Sequence, residues 1–289
     1  MRLEVLRQLK DDSKPIAVFN DGKRRFIEIT DKPKGTSGAE KLAEQDIGQI
    51  LKSNDTAKII KLLEDKLVQS RYLDEDEKIF TLTDDDKPKS VMFMPDFSKE
   101  RELLYVFGPS GSGKSTLAKK YAKEFKLGRP DYTIFLLSKI SDDESLDGIE
   151  FTHIPLEEDV LRDLEPKSFQ DSLVIFDDTD TPSNKAVTKL VDGIKDEIAQ
   201  EGRHYNVSAI YTTHQALGYN RTRIILNECQ KYIIFPQSSG QKQMKSMFTT
   251  YGGLENNKFL QIKKEPSRWC MLNINYPNYL VYDNKVELL

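Results

Sequence analysis

Gly108-Pro109-Ser110-Gly111-Ser112-Gly113-Lys114-Ser115 fits the pattern G-x-x-x-x-G-K-[ST], and it follows an apolar run and precedes a helical one. Glycines in such a loop let successive backbone N–H groups turn toward one centre, and the N-terminus of the following helix adds about half a positive charge. The product is a cradle for a polyphosphate, here expected to be ATP. Lys114 is expected to reach the β and γ phosphates, Ser115 to offer its hydroxyl to Mg²⁺, and Thr116 to steady the α-phosphate side. Further along, Leu173-Val174-Ile175-Phe176 ends in Asp177-Asp178, the layout of a Walker B strand that delivers carboxylates to the metal. Asp177 is the candidate for the Mg²⁺ sphere, directly or through water. Asp178, pointing the other way, is the candidate to polarise an attacking water. That second carboxylate separates hydrolysis from phosphorylation of a small molecule, because a kinase uses its substrate's hydroxyl as nucleophile whereas an ATPase must activate water.

Such groups need elements to hold them. Glu102–Phe107 is a short, nearly all-apolar strand of the kind found inside parallel sheets, and a helix is predicted over Lys114–Phe125. Further strands are predicted at 132–137, 172–176, 207–211 and 232–235, with helical patterns between most of them. This alternation predicts an α/β fold with a central, mostly parallel sheet flanked by helices, and together with the 108–115 loop it reads as a P-loop NTPase. Ligands of such sheets bind at the carboxyl ends of the strands. The P-loop ATPase domain is expected to span residues 89–289. Residues 1–88 read as a small α+β N-terminal domain: a hairpin around Asn20-Asp21-Gly22, helices over 39–51 and 56–68, a strand over 78–82, and an exposed connector at Asp84-Asp85-Asp86-Lys87-Pro88.

The 289 residues carry 43 Lys and Arg against 47 Asp and Glu, a net charge of −4, which argues against a surface basic all over. Residues 200–289 hold 11 basic and 6 acidic side chains, so a nucleic-acid contact would be local and drawn from that part. Cys229 and Cys270 are too few for a disulfide framework and read as buried thiols, and three scattered histidines make no metal site. Residues 1–20 show no signal-peptide pattern. No apolar stretch approaches the roughly 20 residues that cross a bilayer, so no membrane role is expected.

The segment 200–215 (QEGRHYNVSAIYTTHQ) ends a helix, turns at Asn206, and runs up a buried strand to a polar tip. With the P-loop and the Asp-Asp strand, it resembles the HerA–FtsK superfamily of DNA-translocating ATPases, and most of all the poxvirus-type genome-packaging ATPases of large eukaryotic DNA viruses and virophages. The runs 223–227 and 232–236 and the segment ending in Tyr251-Gly252-Gly253-Leu254 extend the resemblance over about residues 100–285. It implies a sensor strand between the P-loop and Walker B strands, and a homo-oligomeric ring, usually a hexamer, around double-stranded DNA held without sequence preference. It also implies capsid proteins as partners, and work in a viral factory of the host cytoplasm or in the virion. The strand-tip sensor would be His214 or Gln215, of which alternation lets only one face the nucleotide, with His214 the favoured candidate. An arginine acting on the neighbouring subunit's nucleotide would be Arg203, Arg221 or Arg223, with Arg203 matching the family position best. Lys242, Lys245, Lys263, Lys264 and Arg268 are the candidate DNA-contacting cations. The reading is therefore an ATP-hydrolysing motor that packages viral DNA. Its alternatives are a nucleotide or nucleoside kinase and a non-hydrolysing nucleotide-dependent switch.

Overall fold

The computed structural model describes residues 13–19, 26–30, 70–73, 79–82, 90–139, 148–180, 184–214 and 222–289. They divide into two units, one of residues up to Met94 together with Asn284–Leu289, the other Pro95–Asp283. The return of the last six residues to the first unit has no signature in composition or periodicity.

In the first unit, β1 (Ser13–Phe19) pairs antiparallel with β2 (Phe26–Thr30), Val18 opposite Phe26. The predicted hairpin strands are present, and the turn around Asn20-Asp21-Gly22 lies outside the described residues. β3 (Ser70–Leu73) runs parallel to β2, and β5 (Val91–Phe93) antiparallel to β1. The resulting order is β3-β2-β1-β5. Ile16, Ala17, Ile27 and Phe93 are fully buried in it. The strand expected over 78–82 is β4 (Ile79–Thr81), paired antiparallel with Lys285–Leu288. The helices predicted over 39–51 and 56–68, and the connector at 84–88, also lie outside the described residues.

The second unit is built as the alternation predicts. β6 (Leu103–Phe107) leads through the glycine-rich loop into α1 (Lys114–Gly128), three residues longer than predicted, which buries Leu117, Ala118, Tyr121, Ala122 and Phe125. Then come β7 (Thr133–Ser138), β8 (Thr152–Pro155), the short α2 (Glu158–Leu161) and β9 (Ser172–Phe176). α3 (Lys185–Glu201) begins where the Asn184 side chain accepts from the Val187 N–H at 2.8 Å, satisfying one orphan donor of the first turn. Its Val187, Val191, Ile194 and Ile198 recur at helical spacing and enter the main core. Burying each is worth about 1.5–3 kcal/mol.

β10 (Val207–Thr213) is buried along its whole length. It lies between β6 and β9, parallel to both, the position that the resemblance implies for the sensor strand. Tyr211 stacks on Phe176 of β9 with ring centroids 5.2 Å apart. α4 (Arg223–Glu228), β11 (Lys231–Ile234), α5 (Gln241–Ser246), a π-helical turn at Met247–Tyr251, α6 (Asn256–Lys264), β12 (Cys270–Asn273) and β13 (Tyr279–Tyr282) complete the unit. Its strand order is β13-β12-β11-β6-β10-β9-β7-β8, parallel from β11 to β8, with β12 and β13 added as an antiparallel meander. Cys229 and Cys270 are buried and in no disulfide among the described residues, in line with the expectation of buried thiols. At the base of β6, the fully buried Lys231 ammonium lies 2.7 Å from the Glu102 carboxylate, which also accepts from the Tyr121 hydroxyl and the Asp96 N–H at 2.8 Å each. Among the described residues, no helix is long and apolar enough to cross a membrane.

Candidate nucleotide-binding site

The parallel strands β6, β10 and β9 end side by side, and the candidate residues gather there. Gly108 donates its N–H to the Thr213 carbonyl at 3.1 Å, which ties the first residue of the loop to the tip of β10. Gly111 and Gly113 stand at φ of 73° and 106°, left-handed values that favour glycine. Pro109 accepts from the Ser112 N–H at 3.2 Å and closes the turn.

Lys114 is 5% exposed, a position few lysines hold without anionic partners. Its ammonium lies 3.3 Å from the Pro109 carbonyl, 3.3 Å from His214 Nδ1 and 3.9 Å from Asp178 Oδ1. Burial lowers its pKa, and the carboxylates of Asp178, Asp177 and Asp180 act the other way. Ser115 donates its hydroxyl to Asp177 Oδ2 at 2.8 Å, and Thr212 donates to the other oxygen of that carboxylate at 2.7 Å. Asp177 is buried, and it is held from the first turn of α1 and from β10. The residue after it leaves the strand in a left-handed conformation, φ 48°. This corrects the expectation that Asp178 points the other way: strict alternation ends at Phe176, and the Asp178 carboxylate comes to the same loop. It lies 2.8 Å from His214 Nε2. A lysine ammonium can only donate, so the His214 ring accepts at Nδ1 and donates from Nε2–H to Asp178.

Two supporting residues, Thr212 and Asp180, lie outside the candidates that the sequence offers. Thr212 holds Asp177 and also accepts from the Asp178 N–H at 3.3 Å. The parallel register sets Tyr211 opposite Phe176, so Thr212 follows level with Asp177; that pairing is not written in the local sequence. Asp180 accepts from the His214 N–H at 3.0 Å and stands 3.6 Å from the buried Lys195 ammonium of α3. Only the run of acids after β9 hinted at it.

The residues present fit a magnesium-bound triphosphate. Ser112 Oγ is buried without a hydrogen-bond partner among the described residues, in the middle of the loop, where a phosphate oxygen would supply one. Ser115 and Asp177 form a pair of hard oxygen donors, which suits Mg²⁺ because that ion keeps several waters and takes one or two carboxylates plus substrate phosphates.

Not every candidate joins this cluster. Arg203 lies in the 3₁₀ turn Gly202–Tyr205 ahead of β10, at the end of the strand away from Thr213. Seven residues of strand span about 20 Å, so Arg203 does not reach the phosphate loop of its own chain. Arg223 is exposed at the start of α4, while Arg221 and Gln215 lie outside the described residues. Lys242, Lys245 and Lys264 are exposed on α5 and α6, and Lys263 donates to Gln241 Oε1 at 2.6 Å. Arg268, grouped with these cations in the sequence, stands instead beside the phosphate loop, its Nε donating to the Ser112 carbonyl at 3.2 Å.

No protein-family model matches the chain. A curated protein described as uncharacterized protein V3 of the Sputnik virophage is 32% identical over 223 residues, covering 74% of this chain and 90% of that protein. Among solved structures, B204, the DNA-packaging ATPase of Sulfolobus turreted icosahedral virus, is similar with a TM-score of 0.46 and 15% identity, covering 64% of this chain and 99% of that one. The genome packaging NTPase B204 of Sulfolobus turreted icosahedral virus 2, in complex with AMPPCP, gives 0.44 and 14%, with coverage of 64% and 99%. The pCW3 conjugation coupling protein TcpA gives 0.45 and 12%, with coverage of 73% and 66%.

Proposed function

The chain belongs to the family of the Sputnik virophage protein V3, and from that premise we propose that it is an ATP-hydrolysing motor that drives double-stranded DNA into a viral capsid. The observation that carries the hydrolytic part is the placement of Asp178. Asp177 is held by Ser115 and Thr212, whereas Asp178 is 58% exposed at the mouth of the loop and bonded to His214. One carboxylate is thus committed to the metal side and the other is free to take a proton from water.

Lys114 would leave Pro109 and His214 for the β and γ phosphate oxygens, a short move for an ammonium already within 3.9 Å of Asp178. Mg²⁺, held by Ser115 and Asp177, would offset charge on the phosphates. His214 would fix Asp178 through the Nε2–H bond, and in its doubly protonated form it would also donate to the γ-phosphate from Nδ1, the nitrogen that Lys114 vacates. Arg203, placed away from its own phosphate loop, would serve the neighbouring subunit in a homo-oligomeric ring, a hexamer by family resemblance. Lys242, Lys245, Lys263 and Lys264 would grip DNA phosphates without reading sequence. Capsid proteins would be partners of such a ring, in a viral factory or the virion.

The test is ATP turnover by the full chain with and without double-stranded DNA, alongside Lys114→Ala. Turnover stimulated by DNA and lost in the variant supports the motor. Phosphate transfer to a nucleoside would make the protein a kinase, and tight ATP binding without turnover would make it a switch.

A further inference from the structure

Arg268 precedes β12, more than 150 residues after the phosphate loop, yet its side chain lies against that loop. Its Nε donates to the Ser112 carbonyl at 3.2 Å, and its Nη2 would be 3.1 Å from a Cβ placed on Gly113. The guanidinium thus covers the face of Gly113, at the residue that leads into Lys114. The turn that aims it is itself fixed: the Arg268 N–H donates to Asp283 Oδ2 at 3.1 Å, the Asp283 N–H to Ser267 Oγ at 3.0 Å, and Ser267 Oγ to the Trp269 carbonyl at 2.6 Å. Ser267 is fully buried and Trp269 nearly so. A guanidinium has five N–H donors in a planar fork. Among the described residues Arg268 spends one of them on the loop, which leaves the fork free at the rim of a site built for a polyanion.

We propose that Arg268 is a positioning residue of the nucleotide site, acting in cis. It holds the Ser112–Gly113 peptide in place and turns its unused donors to the bound nucleotide, so that occupancy of the loop is felt at the Ser267–Trp269 turn and the β12–β13 meander. The inference rests on the nucleotide-binding part of the function proposed above. The φ of 106° favours glycine at 113, and a Cβ there would press on the guanidinium above it.

Trp269 is the single tryptophan of the chain and adjoins Arg268, so it reports this turn without any label. The experiment titrates the full chain with AMPPCP and Mg²⁺, reading Trp269 emission and, separately, heat of binding. The wild type should show an emission change whose midpoint matches the calorimetric one. Arg268→Ala should bind about tenfold more weakly, as loss of charge-assisted hydrogen bonds predicts, with no emission change. Arg268→Lys keeps the charge but not the fork, and should recover affinity to within about threefold without recovering the emission change. Calorimetric binding by the wild type with silent Trp269, or an Arg268→Ala variant that binds and reports like the wild type, would overturn the inference alone. Absence of calorimetric binding by the wild type would remove the nucleotide site and this inference together.

Discussion

Asp178 Oδ1 and His214 Nε2 lie 2.8 Å apart, across the tips of neighbouring strands. The left-handed backbone at Asp178 makes this contact possible, by bringing two consecutive carboxylates to one loop. If Asp178 is the base, Asp178→Asn keeps the shape and the bond from His214 but cannot take a proton. Single-turnover hydrolysis should then fall by about 10²–10⁴, while calorimetric affinity for ATP stays within about threefold. A parallel loss of affinity would place Asp178 among the binding groups instead.

Asp177 is held differently, with Ser115 on one oxygen and Thr212 on the other. Its loss should be felt through the metal. Nucleotide affinity measured across a Mg²⁺ titration should show Asp177→Asn nearly insensitive to the ion. Thr212→Val, which removes the bond that orients the carboxylate, should need about tenfold more Mg²⁺ than the wild type. An unchanged Mg²⁺ midpoint in Thr212→Val would limit that hydroxyl to packing.

What could be read in advance follows the range of the forces involved. The phosphate loop, its flanking strand and helix, and the Asp-Asp strand are local patterns, and all fall where periodicity places them. β9 matches its predicted span, and β10 runs two residues past it, to Thr213. Thr212, Asp180 and Arg268 enter the site only through strand register and chain crossing, which no local window contains. The same holds for the Asp178 turn, because Asp at positive φ is a choice of the fold rather than of composition. β8 and the β12–β13 meander lie outside the predicted strands.

Lys231 and Glu102 make a stability prediction independent of nucleotide. Both are buried, 2.7 Å apart, and Glu102 also serves Tyr121 and Asp96. Lys231→Met leaves the carboxylate without its cation in a dry site, and should cost about 3–5 kcal/mol in urea unfolding at neutral pH. Adding Glu102→Gln removes the stranded charge, so the double variant should be more stable than Lys231→Met alone. A double variant that is less stable by the sum of the single losses would show that the two side chains act separately.

Asp196 of α3 gives the pH dependence. Burial, and next the Asp192 carboxylate one turn earlier, push its carboxyl up from 3.8 to about 6; Lys195 opposes this and Glu197 adds to it. Its Oδ1 is buried without a hydrogen-bond partner among the described residues, and Tyr211 of β10 lies close enough to feel its charge. Between those two values the folded chain holds a proton that the unfolded chain has released. The contribution of Asp196 is therefore fully present below 3.8 and is lost as pH rises through about 6. Asp196→Asn, which cannot ionise, should remove that slope and melt higher than the wild type at about pH 7.5. The gain should stay below about 1 kcal/mol, since the side chain is only partly buried and solvent screens it. The two proteins should converge as pH falls toward about 4, and melting curves over that range check it. Parallel curves across the whole range would show that the Asp196 carboxyl ionises alike in the folded and unfolded chain.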